Sequence, residues 1–223
     1  MSKPLILAAL GARGTGKSAW VKQTLDKLAP SRLAVWDLMQ EYTDLQTFDK
    51  LGEAIRAMRE PRFRIAFHPS RDDAERERQF DFWCRALLAA GKLTAVVEEL
   101  AFVTKPMKAP SGWREMVLLG RHPKHQLYII GTSQRPASID KDFLSNCDLV
   151  HAGRLAYKPD AEKAAMVLGV PFEDILRLAD LAYIERSAGV GEATRGELSF
   201  APKPPRKRKA SGAHPKGANL PEA

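Results

Sequence analysis

The chain has 223 residues, of which 44% are hydrophobic and 28% charged, and a formal net charge of +8. That composition supports one sizeable core in a single domain. It argues against a transmembrane segment of the chain's own, because no run approaches 18 consecutive apolar residues, and against a disulfide framework, because Cys84 and Cys147 stand alone.

In chain order, short apolar runs alternate with amphipathic segments. The first run, "LILAAL" (5–10), reads as a buried strand rather than a signal peptide, since no small-residue cleavage site follows it. A helix is expected over 19–28, stopped by Pro30, then a strand over 32–37, a helix over 51–59 and a strand over 63–67. Over 73–90 the apolar residues Phe80, Trp83, Cys84, Leu87 and Leu88 recur on one face of a 3.6-residue period, and Gly91 ends the helix. Strands follow over 93–97, 126–132 and 147–152. Helices follow over 113–119, 161–168 and 173–178, and a terminal hairpin is expected from 181–186 and 196–200. Alternating strands and helices predict an α/β fold with a mostly parallel central sheet. His122 and His125 sit beside a proline and fit a surface turn better than a metal site.

The charge is uneven. From Ala201 to the end there are six basic residues, Lys207 and Arg208 among them, one acid and almost no large apolar side chain. Such a segment cannot bury enough surface to fold alone. The chain therefore divides into a folded domain, 1–200, and a disordered basic tail, 201–223. The tail is either a solubilising appendage or a nonspecific grip on nucleic-acid phosphates.

The chemistry is concentrated in "GARGTGKS", the eight residues Gly11, Ala12, Arg13, Gly14, Thr15, Gly16, Lys17 and Ser18. They match G-x-x-x-x-G-K-[ST], directly after a strand and directly before a helix. The glycines let backbone N–H groups turn toward phosphate oxygens, and the helix amino terminus adds its dipole. Lys17 is expected on the outer phosphates of ATP, and Ser18 on Mg²⁺. Glu98 and Glu99 then end the apolar run "LTAVV", at the edge where parallel sheets bind ligands. One acid can serve the Mg²⁺ shell, for which Glu98 is expected, and Glu99 can polarise the attacking water. The next strand closes on Thr132, Ser133 and Gln134, which places Gln134 to sense the γ-phosphate or orient the water.

Read together, "EELAFV", "LLGRHPKHQLYIIGTSQRPASID" and "VWDLMQEY" resemble the DNA-translocating P-loop ATPases of the HerA and FtsK superfamily across residues 4–152. With only a motor core present, the chain is most similar in size to the genome-packaging ATPases of tectivirus-like viruses. Glu98 departs from the family pattern, which has Asp there.

The resemblance implies a RecA-like domain that assembles as a ring, a hexamer or a pentamer, and moves double-stranded DNA. It also implies a capsid or packaging-vertex protein as a docking partner, in the host cytoplasm or at the virion vertex. Arg121, in the family's G-R position, is the expected arginine finger, with Arg135 and Arg114 in reserve. Lys105 and Lys108, in the Pro-rich segment leaving the acidic pair, are the expected DNA contacts, with Lys207 and Arg208 of the tail as a second source of DNA affinity. The rival functions are a filamentous-phage-type assembly ATPase, a P-loop small-molecule kinase, and a nucleotide-gated assembly protein with little turnover.

Overall fold

The computed structural model describes residues 3–188 and 191–200; the basic tail, with Lys207 and Arg208, lies outside the described residues. The strands are β1 (Ile6–Leu10), β2 (Arg32–Trp36), β3 (Gln46–Phe48), β4 (Phe63–Phe67), β5 (Thr94–Val97), β6 (Tyr128–Ser133), β7 (Leu149–Ala152), β8 (Ala182–Ser187) and β9 (Thr194–Glu197). They form one sheet in the order β3-β4-β2-β5-β6-β1-β7-β8-β9. Pairing is parallel from β3 through β7, and β8 and β9 add on antiparallel. The expected mostly parallel α/β sheet is therefore present.

The seven helices among the described residues are α1 (Lys17–Leu28), α2 (Leu51–Ala57), α3 (Asp73–Ala90), α4 (Ser111–Leu119), α5 (Lys141–Asn146), α6 (Lys158–Leu168) and α7 (Phe172–Leu176). Successive strand residues point to opposite faces, and here both faces are covered. Ile6, Ala8 and Leu10 of β1 join one core with Trp36, Phe80, Trp83, Trp113 and Phe143. Leu7 and Ala9 join a second, smaller core with Trp20, Val21 and Leu25 of α1. On the first face Trp36 and Phe80 meet edge-on with ring centroids 5.0 Å apart, and Phe80 leads on to Trp113 at 5.6 Å. On the second face Trp20 stacks on His151 at 4.6 Å, and both Trp20 Nε1 and His151 Nδ1 bind Glu185 Oε1, at 2.7 and 2.8 Å. That cluster ties the first turns of α1 to β7 and β8.

Capping follows chemistry visible in the sequence. Asp72 accepts from Glu75 N and starts α3, and Gly91 stops it. Asp140 is buried, accepts from Asp142 N and Phe143 N to start α5, and takes a further bond from Trp113 Nε1.

Three features differ from the sequence expectation. The short α5 and β3 are absent from it, because six and three residues are too few to display a period. The last strand covers 194–197 rather than 196–200. Leu198 leaves the sheet, buries itself in the second core and lies over the start of α1, so "LSF" is a strap rather than a strand.

Candidate nucleotide-binding site

The glycine-rich turn after β1 closes on itself and leaves its donors open. Thr15 is buried, and its hydroxyl donates to Ala12 O at 2.8 Å, which folds the loop back. Gly14 and Gly16 have φ of 82° and 96°, the left-handed region that glycine enters without strain. Among the described residues no acceptor meets the N–H groups of Gly14, Gly16, Lys17 and Ser18. These unpaired donors surround the amino terminus of α1, the partial positive end of that helix. Polyphosphate fits this cradle, since it supplies the missing acceptors and the opposite charge.

The strand order delivers the acids. β6 lies between β1 and β5, so Gln134, just past β6, stands between the cradle and the acids that follow β5. Glu99 is buried and takes φ 51°, which turns its side chain back over the cradle. Its carboxylate accepts from Gln134 N at 3.2 Å and Gln134 Nε2 at 3.0 Å, and pairs with Lys17 Nζ at 3.2 Å. Thr132 Oγ1 accepts from Glu99 N at 3.1 Å and fixes the turn.

Glu98 is equally buried, and its backbone N–H donates to Trp36 O at 3.1 Å. Burial, then the neighbouring acids Asp37 and Glu41, push its pKa up to about 8, against a smaller pull downward from Lys17. Asp37 is itself spent on Glu41 N and Tyr42 N. The Tyr42 hydroxyl, buried beside Glu98, adds a further downward pull on that carboxyl group. A buried acid lining the same cleft as Ser18 fits a divalent cation such as Mg²⁺, whose charge would favour the ionised form.

No protein-family model matches the chain. The chain is 31% identical over 157 residues to Protein P9 of Pseudoalteromonas phage PM2, a match spanning 66% of each of the two proteins. The genome packaging NTPase B204 from Sulfolobus turreted icosahedral virus 2, in complex with AMP, superposes with a TM-score of 0.69 at 13% identity, covering 90% of this chain and 100% of that one. The same NTPase in complex with ATP-gammaS gives 0.68 at 14%, covering 88% and 98%. VirB4 of Thermoanaerobacter pseudethanolicus gives 0.67 at 11%, covering 88% and 90%.

In fold, the chain is like the NTPase B204 and VirB4, an α/β domain around a mostly parallel sheet.

Within this fold the remaining expected residues fall in three places. Lys105 and Lys108 pair across a two-residue turn at Pro106–Met107, with Lys105 N donating to Lys108 O at 2.8 Å and Lys108 N to Lys105 O at 3.1 Å. Met107 at its tip is 81% exposed. Among the described residues Lys108 has one weak neighbour, Glu77 at 3.6 Å. A single 3₁₀ turn (Leu100–Phe102) connects this finger to Glu99, and Thr104 anchors its base by donating to Leu100 O.

Arg121 lies before β6, at the amino ends of the strands and so on the far edge of the sheet from its own cradle. It pairs with Asp148 at 2.9 Å and reaches Asn146. Arg135 lies nearer the cradle but is engaged. It pairs with the buried Asp160 at 2.8 Å and stacks over Tyr157, bracing its own loop. Arg114 faces Asp142 at 3.7 Å. No helix among the described residues is long and apolar enough to cross a membrane.

The cleft over the cradle has a volume of about 580 Å³, and several residues that sequence reasoning missed contribute to it. Met39 and Glu41 come from the loop after β2, and Leu181 and Phe200 from the start of β8 and the strap after β9. The only trace of Glu41 in the sequence is its place in "VWDLMQEY". Leu181 and Phe200 read there as ordinary core positions of a hairpin.

Proposed function

We propose that the protein hydrolyses ATP with Mg²⁺ and couples that hydrolysis to moving double-stranded DNA, as a ring that packages a viral genome into its capsid. The observation that carries this reading is the convergence of Lys17, Glu99 and Gln134 over an open phosphate cradle. Those are a phosphate-binding cation, a carboxylate able to take a proton from water, and an amide touching both that carboxylate and the space beyond it.

The roles follow from position. The backbone from Gly11 to Ser18 holds the phosphates. Ser18 and Glu98 would hold Mg²⁺, which supplies charge neutralisation at the phosphates. Glu99 receives the proton of the attacking water, and Gln134 orients the Glu99 carboxylate. Arg121, on the far edge from its own cleft, would serve only the site of a neighbouring copy. The finger at Lys105 and Lys108 would meet the DNA, and the 3₁₀ turn at its base gives it a short covalent path to Glu99. What supports the packaging assignment is the superposition on B204, described as a genome packaging NTPase, over nearly its whole length. A capsid or packaging-vertex protein is the docking partner this function requires.

The test is ATP turnover by the full chain with and without double-stranded DNA. Stimulation by DNA is expected. Turnover indifferent to DNA, or phosphorylation of a small acceptor in its place, overturns the motor assignment, and nucleotide binding without turnover favours an assembly role.

A further inference from the structure

The cradle fixes the direction in which a nucleotide must lie, and the direction identifies a second half of the site. Lys17, Glu99 and Gln134 occupy the flank of β1 toward β6 and β5. The outer phosphates therefore point that way. The inner phosphate and everything attached to it leave the cradle on the other flank, toward β7, β8 and β9. On that flank Gly16 lies so close to Leu198 and Leu181 that a Cβ on Gly16 would come within 2.5 Å of Leu198 Cδ1 and 3.2 Å of Leu181 Cδ2. Phe200 follows, 54% exposed and lining the same cleft.

This flank is held in place by specific bonds. Leu198 N donates to Leu181 O at 2.9 Å, and Gln23 Nε2, on α1, donates to Ser199 O at 3.0 Å. Leu181 adopts φ 66°, a backbone state uncommon for a leucine, and it brings that side chain against the phosphate loop. A large aromatic ring left exposed inside a cleft, on a segment bonded at both Leu198 and Ser199, is a surface waiting for a flat apolar partner.

We propose that the strap after β9 forms the nucleotide-base seat, in which Phe200 stacks on the face of the base and Leu181 backs it. Among the described residues, the side chains that this flank contributes to the cleft, Leu181 and Phe200, are apolar. They hold a base by its face and leave its hydrogen-bonding edge unread, so the seat accepts adenine and guanine alike. This rests on the phosphate-cradle reading above and adds to it the residues that set base affinity and selectivity.

The experiment separates the two halves by using a ligand that has only one of them. Equilibrium binding of Mg²⁺–tripolyphosphate, ATP and GTP is measured on the full chain and on Phe200→Ala and Phe200→Trp. Tripolyphosphate should bind the full chain and Phe200→Ala equally. ATP and GTP should bind the full chain within about tenfold of each other, and each should lose about tenfold or more in Phe200→Ala, in line with the usual worth of a base–aromatic stack. Phe200→Trp should restore both.

The base seat is overturned if Phe200→Ala leaves ATP binding unchanged, or if it weakens tripolyphosphate as much as ATP, since the strap would then merely support the loop. Discrimination between ATP and GTP well beyond tenfold overturns the unread edge. Failure of the full chain to bind tripolyphosphate and ATP alike overturns the cradle itself, and the seat with it.

Discussion

Lys17 Nζ stands 3.2 Å from Glu99 Oε1, the same oxygen that takes the Gln134 amide at 3.0 Å. The cation that should grip phosphate and the carboxylate that should activate water are thus paired to each other, in a setting where both side chains are nearly buried. A bound triphosphate would compete for Lys17, and winning that competition would free the Glu99 carboxylate to face water. Lys17→Ala should abolish tight ATP binding in a calorimetric titration. Glu99→Gln should bind ATP at least as tightly as the native chain, because Lys17 has lost its competing anion. Its turnover should fall by ~10²–10⁴, the usual worth of a general base. Normal turnover in Glu99→Gln with loss in Glu98→Gln would reverse the two roles.

Gln134 holds Glu99 through both its backbone and its side chain. Gln134→Ala removes only the second bond. It should lower kcat by about tenfold or more while ATP affinity stays within about twofold, because the cradle is untouched. A matching loss of affinity would mean that Gln134 binds nucleotide rather than aligning Glu99.

The two sources of DNA affinity separate by truncation and by substitution. Deleting residues from Pro202 onward should weaken salt-sensitive DNA binding and leave DNA-stimulated turnover. Changing Lys105 and Lys108 to Ala should remove the stimulation while basal turnover survives. A double mutant that DNA still stimulates fully shows that the Pro106–Met107 finger is not the coupling element.

Arg121 can be tested by mixing. Subunits carrying Arg121→Ala and subunits carrying Glu99→Gln should each be inactive alone and should partly rescue each other, because a mixed ring contains some sites with both groups intact. An arginine finger is worth roughly 10³–10⁵ in kcat, so even partial rescue is measurable. Absence of rescue at every ratio leaves Arg121 as a brace for Asp148.

The Trp20–His151–Glu185 cluster predicts acid lability. Burial holds the His151 imidazole below its ordinary pKa of 6.5, against the opposing pull of Glu185. The unfolded chain therefore takes up that proton first, and stability falls as pH drops below about 6.5 toward the folded value. Burial pushes the Glu185 carboxyl up, but the hydrogen bond and charge of His151 and the bond from Trp20 outweigh it and hold the group below 4.5. Its contribution is present above 4.5 and is lost as pH falls through the folded value. Both effects have the same sign, while Glu98, raised to about 8, works the other way and stabilises the fold as pH drops from 8 toward 4.5. The cluster is therefore read by difference: the melting temperature of the native chain relative to that of His151→Gln should fall as pH drops from 7 to 4. A difference that does not change with pH contradicts the assignment.

The phosphate loop and the acidic pair were legible because each is a short contiguous pattern whose chemistry depends on neighbours in sequence. Gln134 was legible by its place at the end of an apolar strand. The strap was not, because Leu198 and Phe200 alternate with polar residues just as a strand would, and only the fold shows that Leu198 crosses onto Gly16. Helix α5 escaped because six residues show no period, although Asp140 ahead of it is a good cap. The engagement of Arg135 depends on Asp160, 25 positions later. A single sequence carries no trace of that pair.

Of the four tryptophans, Trp36, Trp83 and Trp113 are sealed in the core on one face of the sheet, while Trp20 sits alone on the other, two residues past Ser18. Its indole is bonded to Glu185 and stacked on an imidazole, both sensitive to small shifts of α1. A rearrangement of the phosphate loop that shifts α1 should therefore register in a chromophore already in place. The protein comes with its own optical gauge, readable by intrinsic emission without a label, and Trp20→Phe removes it while keeping the three indoles of the other face.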